Sequence, residues 1–128
     1  MIRPSVKTCL DVPVKPTVTS AGTKREYKGF LCTVSDRVNT DTLDTSLLSG
    51  VVLSAITSQG IPSVLEIQKD VRIATNSVGR FQVRLPRGDY RLIVSSLGHT
   101  RTAFSALPIA PKREIEIKIV LGTTQWVD

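Results

Sequence analysis

The stretch from residue 76 to residue 98 constrains the fold of this chain more than any other. Apolar residues alternate with polar ones over residues 81–85 and again over residues 90–94, which is the period of a half-buried strand. Between these segments, Pro86 presets φ for a turn, and Gly88 can adopt a positive φ without steric cost. The stretch therefore predicts two short strands joined by a tight turn.

The rest of the chain repeats this pattern of short apolar segments and turn residues. Its clearest example is residues 113–121, where isoleucine and leucine alternate with charged residues. Most apolar residues are Val, Ile or Leu, and glycine and proline recur between the segments, which favours strands over helices. We therefore predict an all-β protein folded as an antiparallel β-sandwich.

The N-terminal part differs in character from the rest. Residues 1–26 contain prolines at positions 4, 13 and 16 and are predicted to form an extended arm, with an edge-strand piece around residues 10–14. Residues 27–128 are assigned to the sandwich domain, and residues 27–34 are predicted to form a strand. The N-terminal residues could add a strand to a neighbour's sheet. Alternatively, residues 27–34 complete the domain's own sheet, which we expect because their apolar side chains need cover.

Charge and cysteine content narrow the class of protein further. The net charge of +6 is spread along the chain, which is unlike a concentrated nucleic-acid footprint. No apolar run reaches the roughly 20 residues that span a bilayer, and the first residues lack the apolar segment of a secretory signal. The chain is therefore either kept in the cytoplasm or has lost its signal. Cys9 and Cys32 form one disulfide if the protein is exported, or stay as two thiols; we expect thiols, because nothing in the sequence indicates export.

Several motifs resemble one known family. They are Gly50-Val51-Val52, Gly60-Ile61-Pro62, Thr75-Asn76-Ser77-Val78-Gly79-Arg80-Phe81, Leu85-Pro86-Arg87-Gly88-Asp89-Tyr90 and Leu97-Gly98-His99. In this order they resemble the carboxypeptidase regulatory-like domain over residues 49–121. The chain departs from the family where Asn76 and Ser77 replace an acidic residue and His99 replaces an aromatic one.

The resemblance carries expectations about fold and role. It implies a transthyretin-like, Greek-key-type sandwich of about seven strands. Domains of this family are typically non-catalytic modules of envelope-associated or secreted proteins, where they act as folding partners, spacers or docking surfaces. Because one fold serves many functions, this implication about function is an analogy.

Catalytic chemistry has little support in the sequence. A single histidine, His99, excludes a multi-histidine zinc site, and no glycine-rich loop cradles phosphate. The hydroxyisourate hydrolases resemble this architecture but use several histidines and a different C-terminal tail. We therefore expect no enzyme activity, no cofactor and no metal. His99 either titrates and gates a contact or is a half-packed residue at the start of a strand.

Arginines and one tryptophan are the candidate binding residues. The candidate anion or partner surface consists of Arg72, Arg84, Arg91 and Arg101. If residues 81–85 and 90–94 pair as a hairpin, Arg84 and Arg91 share an exposed face that could grip carboxylates, phosphates or sulfates. Alternatively, the arginines form a solvated outer face that discourages aggregation. Trp126 either anchors a partner or folds back over the end of the sandwich.

Together these features predict a non-enzymatic docking or assembly subunit of a larger envelope-associated or secreted complex. The alternative is a module that binds an anionic glycan or another polyanion through the arginines. We expect a protein partner or self-association, no nucleic acid partner and no membrane span. The compartment is left open by the sequence itself.

Overall fold

The computed structural model describes residues 7–12, 18–38, 44–68 and 71–126. Within these ranges the chain forms one short 3-10 turn, Cys9–Asp11, and no α-helix. The eleven strands are β1 (Val18–Ala21), β2 (Lys24–Tyr27), β3 (Phe30–Val38), β4 (Ser46–Ser54), β5 (Val64–Ile67), β6 (Val71–Ala74), β7 (Arg80–Leu85), β8 (Gly88–Ser95), β9 (Thr102–Ile109), β10 (Arg113–Leu121) and β11 (Thr123–Trp126). The prediction of an all-β protein is confirmed, but the expected number of about seven strands is too low.

The strands form three sheets. The main sheet has the order β3-β10-β4-β7, the second sheet has the order β6-β5-β8-β9, and a smaller sheet, called the ribbon here, has the order β1-β2-β11. Within the described strands every pairing is antiparallel except that of β4 with β10, which is parallel. The expectation of an antiparallel fold is therefore corrected at this one pair, whose strands are far enough apart in sequence to allow a crossover.

One hydrophobic core joins the main and second sheets. Its buried side chains come from β4, β7 and β10 on one side and from β5, β8 and β9 on the other. β10 shows how the sequence pattern produces this core, because Ile115, Ile117 and Ile119 are buried while the charged residues between them are partly exposed. Burying one face of each sheet in a shared cluster is consistent with a β-sandwich.

The connection between β7 and β8 differs from the predicted hairpin. β7 pairs with β4 in the main sheet, whereas β8 pairs with β5 and β9 in the second sheet. Residues 86–87 therefore carry the chain from one sheet to the other, and the Tyr90 hydroxyl donates a hydrogen bond to the Pro86 carbonyl across this arch. Burial of Tyr90 raises the pKa of its phenol. The sequence pattern correctly identified the buried face of β7 and that of β8. These two faces lie in different sheets and pack into the same core from opposite sides.

The predicted strand at residues 27–34 is interrupted. Tyr27 ends β2, Lys28 and Gly29 lie between strands, and Phe30 begins β3. The β3 part completes the main sheet beside β10, in agreement with the expectation that these residues complete the domain's own sheet. Leu10 belongs to the 3-10 turn rather than to the expected edge strand, and residues 13–14 of that prediction lie outside the described residues.

Two glycines connect the ribbon to the main sheet. β3 pairs with β10, and past Gly29 and Gly122 the same two chain segments continue as β2 and β11, which pair with each other. A Cβ on Gly122 would lie 1.8 Å from the Tyr27 carbonyl oxygen, and one on Gly29 would lie 2.2 Å from the Val120 carbonyl oxygen. The two backbones therefore cross at a separation that a side chain would prevent. The predicted boundary between residues 26 and 27 falls inside β2 and stays a prediction.

Candidate docking site

The ribbon is a regular sheet with little core of its own. All four residues of β1 are exposed, and Val18 keeps 47% of its surface accessible. In β2, Lys24 and Tyr27 are partly buried and the two residues between them are exposed. Small sheets normally need a packed hydrophobic face to be stable. The ribbon therefore presents surface that is available for a partner.

The outer edge of β1 has no neighbouring strand among the described residues. β1 pairs with β2 in continuous register from Val18–Tyr27 to Ala21–Lys24. Residues that flank a two-residue turn form a hydrogen-bonded pair, and such pairs alternate along an antiparallel ladder. The backbone N–H of Ser20 therefore points away from β2, towards the open edge. β1 also lacks the charge, proline or bulge that protects many edge strands.

A local signal for the ribbon was present in the sequence but was not used. Gly22 and Thr23 form a two-residue turn, and Gly22 adopts a positive φ of 63°. Glycine at the first central position of a two-residue turn is typical of a tight hairpin. Neither flanking strand alternates between apolar and polar residues, so the sequence pattern did not predict the hairpin.

Charged and aromatic side chains lie on the ribbon. Lys24 and Glu26 form an ion pair at 3.5 Å, and the Tyr27 hydroxyl donates to the Gln125 side-chain oxygen at 3.4 Å. Trp126, the predicted partner anchor, ends β11 and pairs in register with Lys24. The backbone thus places Trp126 in the ribbon itself, in the same sheet as the open β1 edge.

The four candidate arginines do not form one surface. Three of them lie on or beside the second sheet, and two of these are next to Glu66: Arg72 is its register partner and Arg101 approaches its carboxylate at 3.5 Å. Arg91 is exposed on β8 in the same sheet. Arg84 lies on β7 in the main sheet. The proposed juxtaposition of Arg84 and Arg91 is therefore wrong, because the strands that carry them belong to different sheets.

A disulfide attaches the N-terminal segment to the main sheet. Cys9 and Cys32 are bonded, with their Cα atoms 4.9 Å apart. Beside the bond, the Thr33 N–H donates to the Lys7 carbonyl at 2.9 Å, so this segment covers the first part of the β3 edge. The expectation of free thiols is therefore wrong. Stable disulfides are characteristic of oxidising compartments.

His99 has a partner that its sequence neighbourhood did not reveal. Its Nε2 lies 2.8 Å from the hydroxyl of Ser54, and its Nδ1 lies 3.1 Å from the Leu97 carbonyl oxygen. If Nδ1 carries the proton and donates it to that carbonyl, the Ser54 hydroxyl donates to Nε2. Ser54 is only 3% exposed, so the pair serves to attach the loop between β8 and β9 to the end of β4. The separation of 45 residues explains why no local pattern predicted it.

The described residues lack two other kinds of site. No group of three or more His, Cys, Asp or Glu side chains in them could hold a metal ion. No helix formed by them has the length and apolar character needed to cross a membrane.

These features define a class: an all-β protein with two core sheets, a disulfide and an exposed three-stranded ribbon. No family model matches the chain. No curated protein matches it either. Its function must therefore be argued from its own residues.

Proposed function

We propose that this protein is a non-enzymatic assembly subunit whose ribbon pairs with a neighbouring subunit through the open edge of β1. The observation that carries the proposal is a regular four-residue strand, exposed on both faces, with one edge unpaired among the described residues. Backbone N–H and C=O groups on such an edge supply affinity when another strand is added.

The neighbouring subunit that we propose is a second copy of this chain. An antiparallel meeting of two β1 strands is self-complementary, as a two-fold interface requires. β1 has no charged residue, so two copies meet without like-charge repulsion at the contact. In the neighbouring strand β2, Glu26 offsets Lys24 through an ion pair, which leaves the strand with a net charge of +1 from Arg25.

The proposal includes the family and location suggested by the sequence. Motifs of the carboxypeptidase regulatory-like domain coincide with β4, with the start of β7 and with the arch between β7 and β8, which supports a transthyretin-like sandwich. The disulfide supports an envelope-associated or secreted location, because such bonds persist in oxidising compartments. The domain then acts as a docking module and carries out no chemistry of its own.

The experiment is a measurement of mass in solution by light scattering, across protein concentration and a salt series. The test variant is Ser20→Pro, which removes the outward N–H without removing a hydrogen bond to β2. The matched control is Ser20→Thr, which keeps the N–H. We expect a defined oligomer that survives high salt for the wild type and for Ser20→Thr, and a monomer for Ser20→Pro that still unfolds cooperatively, with a melting temperature that no longer depends on protein concentration. A wild-type monomer at every salt and concentration would contradict the proposal.

A second candidate function is the binding of an anionic glycan or another polyanion. The observation that favours it is the placement of Arg72, Arg91 and Arg101 around one sheet face. Glu66 offsets part of this charge, so we rank this function below assembly. Salt-dependent retention on heparin that falls in Arg72→Ala/Arg91→Ala, but not in the main-sheet control Arg80→Ala, would support it.

A further inference from the structure

A second feature of the molecule, separate from the ribbon, is a partly open cavity on the outer face of the main sheet. Its volume is about 320 Å³. Val120 lines the cavity and pairs in register with Phe30 on one side and Leu53 on the other. Cys9 and Val12 line the cavity from the N-terminal segment, which the disulfide holds against β3. The sandwich core lies on the opposite face of this sheet, so the cavity is not a packing defect of that core.

The lining of the cavity is apolar apart from one cation and two hydroxyl groups. The lining residues are Cys9, Val12, Phe30, Cys32, Leu53, Ser54, Ala55, Ser58, Lys118 and Val120. Lys118 is the charged member of this set, and no carboxylate of the described residues belongs to it. The hydroxyl of Ser54 is already engaged with His99. A cavity with apolar walls and a few polar groups is typical of small-molecule sites.

Lys118 has no ion partner among the described residues, unlike two arginines of the same sheet. On the same sheet, Arg37 pairs with Glu114 at 3.0 Å and Arg113 pairs with Asp36 at 3.8 Å. Lys118 forms no ion pair and no side-chain hydrogen bond with the described residues. Its register neighbours are Cys32 and Val51, neither of which can neutralise an ammonium group. A partly buried cation among apolar side chains therefore leaves a position for an anion.

We propose that this cavity binds a small monocarboxylate with an apolar body. The Lys118 ammonium group donates to the carboxylate, while Phe30, Leu53 and Val120 contact the apolar part. At about 30 Å³ for each water-sized group, the cavity accommodates roughly ten non-hydrogen atoms. One cation matches the single charge of one carboxylate, whereas it would offset only half the charge of a phosphate dianion.

The test uses octanoate as the probe, followed by amide chemical shifts in a titration of the intact, oxidised chain. The neutral comparison is 1-octanol, which has a similar apolar body. The variant Lys118→Met keeps the length of the side chain and removes its charge. The matched control is Lys28→Met, which removes an exposed lysine that does not line the cavity. Melting temperatures of all variants establish that they are folded.

We expect saturable octanoate binding, with the largest shifts at Phe30, Leu53 and Val120. Affinity should fall by about tenfold or more in Lys118→Met and stay unchanged in Lys28→Met. A second variant, Val12→Trp, fills the cavity from its N-terminal side and should abolish binding without involving Lys118. Equal octanoate affinity in the wild type and Lys118→Met would overturn the proposal, as would wild-type binding of 1-octanol that matches octanoate. Absence of saturable octanoate binding to the wild type would also overturn it.

Discussion

Removal of the disulfide should lower the stability of this protein by an amount that follows from the loop it closes. Cys9 and Cys32 are separated by 23 positions. The chain-entropy relation for a loop of this size gives a stabilisation of about 3.4 kcal/mol at 25 °C. Unfolding entropy of about 2.1 cal/mol/K per residue, over 128 residues, amounts to about 0.27 kcal/mol/K. The melting temperature should therefore fall by about 13 °C when the bond is absent.

The assay is thermal unfolding followed by circular dichroism, on the wild type and on the double variant Cys9→Ser/Cys32→Ser. Replacing both cysteines avoids a single thiol that could crosslink two chains. A reducing agent provides the matched control, because it should lower the melting temperature of the wild type and leave that of the double variant unchanged. Thiol titration of the denatured wild type should find free thiols only after reduction.

A fall of less than about 3 °C would refute this reasoning, since it would leave under a quarter of the stabilisation expected from loop closure. It would mean that the bond constrains the unfolded chain far less than its loop length requires. In that case the N-terminal segment would be held mainly by other contacts, such as the hydrogen bond from the Thr33 N–H to the Lys7 carbonyl.

Three further predictions concern the sandwich itself. Tyr90→Phe removes the hydrogen bond to Pro86 and should cost about 1 kcal/mol in urea unfolding at pH 7. Burial raises the pKa of Tyr90 above its ordinary value. The stabilisation that its neutral phenol contributes is therefore complete below about pH 10 and is lost as pH rises through the folded pKa. An equally steep loss of stability at alkaline pH in Tyr90→Phe would contradict this. Asn76→Ala leaves two backbone N–H groups, bonded at 3.1 and 2.9 Å, without their acceptor and should cost about 1–2 kcal/mol, whereas wild-type stability would show that water replaces the side chain. Leu92→Ala, at a residue with 0% exposure, should cost about 2–5 kcal/mol in the same assay, and a loss below 1 kcal/mol would indicate that the core collapses around the site.

Strong local periodicity accounts for what the sequence predicted correctly. The last predicted strand, residues 113–121, has the same bounds as β10. In β10 every second residue is aliphatic, so hydrophobic burial and strand geometry favour the same register. The prediction of a strand fails at Gly29, because the close crossing with Gly122 depends on a segment more than 90 residues away.

Strand partners could not be predicted in the same way. A period of two identifies which side chains are buried, but it contains no information about which strand lies alongside. For this reason β7 and β8 were expected to pair, although β4 occupies the edge of β7 and β5 and β9 occupy both edges of β8. The predicted arginine surface required β7 to pair with β8. Because these strands do not pair, Arg84 and Arg91 lie in different sheets.

Both proposed sites depend on residues outside the stretch that resembles a known family. That stretch, residues 49–121, contains β5 to β10 and most of β4, which together supply the core. β1, β2 and the N-terminal wall of the cavity come from residues 9–27, and β3 connects them to the core by pairing with β10. The proposed docking edge and the proposed ligand cavity are thus both connected to the sandwich through β3, and the ribbon is connected to it through β11 as well. Substitutions that weaken the pairing of β3 with β10 should therefore impair self-association and octanoate binding together, whereas Ser20→Pro and Lys118→Met should separate them.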